Sequence, residues 1–231
     1  MSTPVAMILA AGRGKRLRPL TDQCPKPLIA LDGKPLIEYH LEKLAQAGIE
    51  QVVINCAWLC EQFEPALGDG SRWGLSIHYS YEPEGGLETA GGIIQALPHL
   101  GQTPFIVVNG DVFSELDYHE LVDCAQQLSA NKLGHLWLVP TPEFKAQGDF
   151  GLLEHCVQEQ GEWTFAGMSV LRPELFAGQA VGFTPLAPIL REAMAQQALL
   201  GSVYTGYWSD IGTIERLQTA QAYLDAKRYA D

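Results

Sequence analysis

Short runs of apolar residues recur along the chain, separated by stretches whose apolar residues repeat at helical spacing. The runs cover residues 5–10, 52–54, 105–108 and 136–139. Continuous apolar runs of this length are typical of parallel strands buried on both faces. The stretches between them predict helices over 35–48, 61–67, 89–97 and 117–129, with a further alternating strand over 75–81.

This alternation predicts an α/β fold with a doubly wound, mostly parallel sheet. After about residue 140 the pattern changes. Residues 150–156, 163–171 and 202–207 favour antiparallel or mixed strands, and residues 186–198 and 213–228 favour helices. Because no repeat or long linker interrupts the pattern, we expect a single domain over 1–231. It consists of a first half of about 1–140 and a smaller lobe of about 141–231.

The charge balance narrows the possible partners. The chain has 15 Lys and Arg against 27 Asp and Glu, a net charge of −12. Such a chain lacks the broad basic surface that a nucleic-acid binder needs. No stretch is long enough to span a membrane, and no secretory leader is visible. We therefore expect neither a nucleic-acid nor a membrane partner.

The cysteines indicate a reducing compartment. The five are odd in number and scattered, and no two have Cys-x-x-Cys spacing. This pattern favours free, buried thiols over a zinc or thioredoxin motif. We expect a cytoplasmic protein. The sequence carries no signal of its oligomeric state, and a monomer is the default expectation.

Positive charge is concentrated directly after the first apolar run. Within 13–18 the chain carries Arg13, Lys15, Arg16 and Arg18, with Gly12 and Gly14 beside them. Glycines let backbone N–H groups approach a ligand closely, and the cations favour a polyanion such as a nucleoside triphosphate. Leu9 replaces the first glycine of a Walker A loop, and Leu17 replaces the third glycine of a dinucleotide fingerprint. An ordinary surface turn is the alternative for the glycines alone.

The loop and the segment after it resemble the signature of the sugar-1-phosphate nucleotidylyltransferases. The matching residues read Leu-Ala-Ala-Gly-x-Gly-x-Arg-Leu-x-Pro-Leu-Thr, followed by Pro-Lys-Pro. The resemblance implies a Rossmann-like, GT-A-like fold of the nucleotide-diphospho-sugar transferase type. The nucleotide-binding residues that it implies are Ala11, Gly12, Gly14, Lys15, Arg16, Lys26 and Asn109. Arg16 and Lys26 are implied to be catalytic, because cations stabilise charge that develops on phosphate; a solvated lysine is the alternative for Lys26.

Two aspartates far apart in the sequence match the metal-binding positions of the same family. Asp111 ends the segment Val-Val-Asn-Gly-Asp, and Asp210 lies in Tyr-Trp-Ser-Asp-Ile-Gly-Thr. Carboxylate and phosphate oxygens form the hard ligand set that suits Mg²⁺. A turn-forming role is the alternative for Asp111, which follows Gly110. Thr213 is positioned to cap the last helix.

The resemblance also implies a sugar side of the site. It makes Glu88 and Gly92, in Leu-Glu-Thr-Ala-Gly-Gly, candidates for substrate binding, and it places Asp149 over the sugar. Glycines that merely allow a helix to pack on the sheet are the alternative. The Glu-Lys-Pro motif by which the family holds the sugar phosphate is missing between Leu152 and Phe165, so that cation is unassigned.

The resemblance implies transfer of a nucleotidyl group to a sugar-1-phosphate, with release of pyrophosphate. Compact length and the segment Phe-Ala-Gly-Met-Ser-Val-Leu are most similar to the N-acetylmuramate-1-phosphate uridylyltransferases of cell-wall recycling, which use UTP. Mannose-1-phosphate guanylyltransferases and glucose-1-phosphate thymidylyl- or uridylyltransferases are the alternatives within the family. A catalytically inactive nucleotide-sugar sensor subunit is the alternative outside it.

Overall fold

The computed structural model describes residues 3–229, and its strands and helices alternate through the first half of the chain. The strands are β1 (Ala6–Leu9), β2 (Ala30–Leu31), β3 (Lys34–Pro35), β4 (Gln51–Cys56), β5 (Ser76–Tyr81), β6 (Phe105–Asn109), β7 (Val112–Ser114), β8 (Gly134–Pro140), β9 (Phe150–Leu153), β10 (Cys156–Leu171), β11 (Leu199–Val203) and β12 (Trp208–Asp210). The helices are α1 (Leu36–Gln46), α2 (Phe63–Leu67), α3 (Glu88–Leu100), α4 (His119–Gln127), α5 (Leu186–Ala195) and α6 (Ile214–Arg228).

The main sheet is mixed, with the order β11-β8-β10-β6-β1-β4-β5, and β9 pairs with β10. Strands β5, β4, β1 and β6 are parallel, whereas β10 runs antiparallel to β6 and β8. The expected α/β class with a mixed, doubly wound sheet is confirmed. Parallel pairing brings the carboxyl ends of β1, β4 and β6 to one edge of the sheet, where ligands bind in such folds.

Helices cover both faces of this sheet. Alternate side chains of β1 point to opposite faces, so Ile8 joins the core beneath α1, α2 and α4, and Met7 joins the core beneath α3 and α5. Both side chains are completely buried. No helix within residues 3–229 has the length and apolar content needed to cross a membrane.

A third, smaller core fastens the last helix to the rest of the fold. Residues of α6, among them Ala220, pack with Leu36, Phe113 and Ile211. The expected cap is present, because the Thr213 hydroxyl accepts a hydrogen bond of 3.3 Å from the Arg216 backbone N–H. The cap and this core fix the first turn of α6 beside the short β7–β12 sheet.

The second half of the chain differs from its predicted boundaries. The strand predicted over 150–156 ends at Leu153, because Glu154 and His155 adopt positive φ and turn the chain into β10. The strand predicted over 163–171 is the end of this longer strand, whose residues 158–162 carry no apolar pattern and are exposed from residue 159 on. The predicted helix over 186–198 stops at Ala195, and Leu199 begins a strand instead of Ser202. Short apolar runs do not distinguish a buried helix from a buried strand.

Two histidines are held in environments that disfavour their charged form. Burial lowers the pKa of His40 to about 4, and its Nδ1 lies 2.7 Å from the Tyr118 hydroxyl. Burial, together with the nearby His155, lowers the pKa of His135 to about 4. Both residues are therefore neutral in the folded protein at pH 6, where the same residues are mostly protonated in an unfolded chain.

We predict that the protein loses stability as the pH falls from 6.5 towards 5. The folded-state pKa of each histidine lies below its unfolded value, so the unfolded state takes up the protons. Each group contributes a slope of up to about 1.4 kcal/mol per pH unit. The measurement is the free energy of urea unfolding across this range. His135→Gln should flatten the slope by about one group, and a slope equal to that of the unchanged protein would refute this account.

Candidate active site

The glycine-rich loop after β1 is shaped by one contact that only glycine permits. Gly14 has φ +64°, and a Cβ there would lie 2.8 Å from Cγ2 of the buried Thr21. The Thr21 hydroxyl in turn donates a 2.9 Å hydrogen bond to the Gly14 carbonyl. This contact folds the loop back on itself, so that its first residues lie along the edge of the sheet.

The cations of this loop divide into two pairs. Arg13 donates to the Thr21 carbonyl at 2.7 Å and lies over the ring of Trp58, and Arg18 donates to Asp22 at 2.7 Å. Hydrogen bonds from Arg18 and Arg13 hold the pKa of Asp22 below its usual range. Within residues 3–229, no hydrogen bond or ion pair occupies the exposed side chains of Lys15 and Arg16. The loop therefore offers a ligand two cations, not four.

A cavity of about 560 Å³ opens above this loop, at the carboxyl ends of β1, β4 and β6. One wall is the glycine loop, and the opposite wall is the segment that leads into α3. The predicted residues that line it are Ala11, Gly12, Lys15, Lys26, Glu88, Asn109 and Asp111. Glu88 has φ +62°, which turns the chain at the first residue of α3.

A buried polar network forms the base of this cavity. Asn55, at the end of β4, donates 2.6 Å to Glu82 and accepts a 2.9 Å hydrogen bond from the Ala10 backbone N–H. The second oxygen of Glu82 accepts 2.7 Å from the Leu87 N–H. The network ties the glycine loop to the segment before α3. Each buried polar group in the network has a partner. The network therefore holds the two walls of the cavity at a fixed distance from each other.

Lys26 is nearly buried, and its ammonium group contacts both predicted metal-binding aspartates. The exposed fraction of the residue is 7%. Its Nζ donates to Asp111 Oδ2 in a short hydrogen bond and lies 4.0 Å from Asp210 Oδ1. A buried ammonium needs such partners, because an unpaired charge in this position would be strongly destabilising.

The β7–β12 ladder brings the two aspartates together. Asp210 pairs with Val112 in the antiparallel register, and the Ile211 N–H donates 2.8 Å to the Asp111 carbonyl. Asp210 Oδ2 accepts 3.1 Å from Arg216, whereas Asp210 Oδ1 is buried with no hydrogen-bond partner. Such an orphaned carboxylate oxygen, next to a second carboxylate, is suited to a hard divalent cation. In the described part of the chain, no third acidic residue, histidine or cysteine completes a cluster with them.

A second cavity, of about 400 Å³, adjoins the first and shares Asn109 and Asp111 with it. It lies between the β8–β9 loop, β10 and the first turn of α6. The predicted residues that line it are Arg16, Asn109, Asp111, Asp149 and Asp210. Arg16 thus faces this second cavity, whereas Lys15 faces the first. Both carboxylate oxygens of Asp149 are occupied, one by Lys145 at 2.5 Å and one by the Phe165 N–H at 3.0 Å.

Two predicted residues line neither cavity. Gly14 shapes the loop as described, and Gly92 is buried in α3 against the polar network. A Cβ on Gly92 would lie 2.4 Å from Glu82 Oε1 and 2.8 Å from Asn55 Nδ2. The structure therefore places Gly92 behind the wall of the cavity, where its small size admits the network.

Sequence reasoning missed several residues that line the cavities. They include Asn55, Trp58, Glu82, Phe144, Lys145 and Arg216. Asn55 and Glu82 could have been predicted, because each is a polar residue at the carboxyl end of a parallel strand, where ligands bind in such folds. Arg216 carried none, since its position near the start of a helix is equally typical of a solvated face.

Comparison with known proteins identifies the class. The nucleotidyl transferase family profile matches residues 5–164. A solved structure from Bacillus anthracis, assigned as a glucose-1-phosphate thymidylyltransferase, superposes with a TM-score of 0.84 at 21% identity, covering 94% of both chains. That similarity concerns the fold alone. The chain belongs to the nucleotidyl transferase family.

Two relatives are similar over nearly their whole length. The N-acetylmuramate alpha-1-phosphate uridylyltransferase of Neisseria meningitidis serogroup B is 52% identical, over 96% of this chain and 98% of the relative. The enzyme of the same name from Caulobacter vibrioides is 32% identical, over 95% of this chain and 96% of the relative. The family predicted from the glycine loop is thereby confirmed.

We predict that Gly92→Ala destabilises the protein by about 1–3 kcal/mol, because the added methyl group overpacks the Asn55–Glu82 pair. The measurement is the free energy of urea unfolding. Gly182→Ala is the matched control, since nothing lies within 4 Å of a Cβ at that position. Equal stability of the two variants would contradict the prediction that a methyl group at Gly92 overpacks the network.

Proposed function

We propose that this protein transfers the uridylyl group of UTP to N-acetylmuramate α-1-phosphate and releases pyrophosphate. The observation that carries the proposal is that two cavities meet at Asp111, with Lys26 and Asp210 at their junction. The 52% identity to a uridylyltransferase of this specificity supports the choice of substrates. Transfer between two anionic substrates needs two adjacent binding spaces with cations where they join.

We assign the nucleotide to the first cavity and the sugar phosphate to the second. The first cavity has the glycine loop, Lys15 and the buried polar wall, and its volume is in the range of ordinary ligand sites. The second cavity lies among antiparallel strands and carries Asp149 and Arg16. In this arrangement the α-phosphate lies beside Lys26, within reach of both substrates.

The reaction is an in-line displacement at the α-phosphorus. An oxygen of the sugar-1-phosphate forms the new bond to phosphorus, and the bond to the oxygen that bridges the α- and β-phosphates breaks. Pyrophosphate leaves with that oxygen and its electron pair. No side chain has to remove a proton from the attacking group, because a phosphate monoester with a second pKa of about 6 is mostly dianionic at neutral pH. The protein therefore acts by positioning and by neutralising charge.

Lys26 and Arg16 divide the charge stabilisation between them. The Lys26 ammonium, held at the junction by Asp111, approaches the α-phosphate, where charge builds up during attack. Arg16 faces the second cavity, but its side chain has no partner within residues 3–229, and we propose that it turns towards the leaving pyrophosphate when the triphosphate binds. Lys15 contacts the triphosphate from the side of the first cavity.

We further propose Mg²⁺ as the cofactor, held by Asp111 and Asp210. The orphaned Asp210 Oδ1 and the Asp111 carboxylate would hold a hard divalent ion, and oxygens of the substrates and water would supply further ligands. When bound there, the ion supplies charge neutralisation between the two reacting phosphates. Retention of Lys26 and Arg16 together with both aspartates favours an active enzyme over a sensor subunit.

The remaining expectations are consistent with this function. The five cysteines form no disulfide, as in a reducing compartment, and we propose a cytoplasmic enzyme that acts as a monomer and a single domain. No nucleic-acid or membrane partner is needed for the reaction.

A substrate panel tests the proposed function. UTP, GTP, dTTP and CTP are each combined with N-acetylmuramate-, mannose- and glucose-1-phosphate, and pyrophosphate release is measured. UTP with N-acetylmuramate-1-phosphate should have the highest kcat/KM. GTP with mannose-1-phosphate as the best pair would refute the substrates but not the reaction. Absence of pyrophosphate release with every pair would instead favour the sensor.

We predict that Asp111→Asn removes most turnover while the fold is retained, because the asparagine carbonyl can still accept the hydrogen bond from Lys26 and Asp210 remains as its ion-pair partner. Loss of one carboxylate from the junction should lower kcat on the order of 100-fold or more, since charge stabilisation here amounts to several kcal/mol. Asp123→Asn, on the exposed side of α4, is the matched control. Turnover near the normal rate at ordinary Mg²⁺ concentration in the Asp111 variant would contradict the assignment.

A further inference from the structure

The second cavity contains two cations that neither the motifs nor the comparisons assign. They are Lys145, from the β8–β9 loop, and Arg216, from the first turn of α6. The motif by which this family holds the sugar phosphate is missing from the chain, so the cavity needs another source of positive charge. Both side chains lie where that charge is required.

Arg216 is held in place but retains unused donors. Its side chain is only 12% exposed, and one of its amino groups donates 3.1 Å to Asp210 Oδ2. Its guanidinium lies over the ring of Phe144, 4.3 Å from the ring centroid. A guanidinium has five N–H donors, and this ion pair occupies one amino group. The others remain for an anion in the cavity.

The backbone at Gly212 lets two guanidinium groups converge. A Cβ on Gly212 would lie 2.1 Å from Nη2 of Arg216 and 3.0 Å from Nη2 of Arg16. The two like charges are therefore close neighbours beside a single carboxylate, Asp210. Their mutual repulsion favours the binding of anions here, and once Arg16 turns to the pyrophosphate, the unused donors of Arg216 remain for the sugar phosphate.

Lys145 approaches the same cavity from the opposite loop. Its Nζ lies 2.5 Å from Asp149 Oδ1, and the Phe165 N–H fixes the other oxygen of Asp149. An ammonium group has two further donors beside this ion pair. The preceding residue, Phe144, is the one whose ring lies against the Arg216 guanidinium. The loop therefore contacts α6 directly beside Lys145. The two cations thus hold fixed positions relative to one another.

We propose that Arg216 and Lys145 together bind the phosphate group of the sugar-1-phosphate, with Asp149 as a positioning residue for Lys145. This inference rests on the proposed function for its substrate class. It assigns Arg216 a second role besides its ion pair with Asp210. It also explains why the chain functions without the missing motif: the charge comes from a loop and a helix terminus instead of a strand.

The test is steady-state kinetics of Arg216→Ala and Lys145→Ala, with each substrate varied in turn. The best substrate pair of the panel is used, whichever pair that is. We expect the KM for the sugar-1-phosphate to rise about 10-fold or more in each variant, while the KM for the nucleoside triphosphate changes less than about 2-fold. Arg191→Ala, which removes an exposed arginine that is paired with Glu159 and lines neither cavity, should leave both KM values unchanged.

A purely structural role for Arg216 gives a different result. If Arg216 only orients Asp210, its loss lowers kcat and shifts the Mg²⁺ dependence without a selective effect on the sugar phosphate. Lys145 does not contact Asp210, so Lys145→Ala keeps the test decisive even if Arg216→Ala folds poorly. An unchanged KM for the sugar phosphate in Lys145→Ala would overturn the proposal. A different best pair in the panel would refute the proposed substrates while leaving this phosphate site intact.

Discussion

The arrangement of the site depends on one buried ammonium group and the carboxylates that pair with it. Lys26 is nearly buried, and burial of a charge is costly unless a partner of opposite sign is close. Asp111 and Asp210 supply that partner, and the β7–β12 ladder brings them together. The same residues lie where two cavities meet. Stability at this end of the sheet and chemistry at the junction therefore impose the same requirement, which is that opposite charges converge there.

A second network sets the dimensions of the nucleotide side. Asn55 accepts a hydrogen bond from the Ala10 N–H beside the glycine loop and donates one to Glu82 on the other wall, so it joins the two walls. Gly92 is part of this arrangement, although it lines neither cavity, because any larger residue would displace Glu82. Preorganised walls of this kind reduce the conformational entropy that a ligand has to remove on binding. The sugar side is built differently, from a loop that is attached to α6 by the stacking of Phe144 on Arg216.

Much of this was predictable from local patterns. The apolar runs predicted the parallel half of the sheet, and the resemblance of the loop to a known signature predicted the family. Asn109 and Asp111 come at the end of a predicted strand, and they lie at the edge of the sheet where the cavities open. The second half was less predictable, because residues 158–162 carry no apolar pattern within a long strand and a short apolar run, 198–200, follows two glutamines after α5. Pairing with β9 decided the first half of β10, and pairing with β8 decided β11; such pairing is not encoded in a local period.

The sequence by itself determined the class of fold, the glycine loop and the types of group that the chemistry needs. Those properties depend on neighbours within a few positions, where periodicity and backbone freedom act directly. Only the tertiary structure decided which charges are available. It tied Arg13 and Arg18 to Asp22 and turned Arg16 towards the second cavity. It also brought Arg216 to Asp210 and Lys26 to Asp111, a pair separated by 85 positions in the chain. Charge pairing depends on distance in space, and distance between remote segments is set by how the sheet and helices pack.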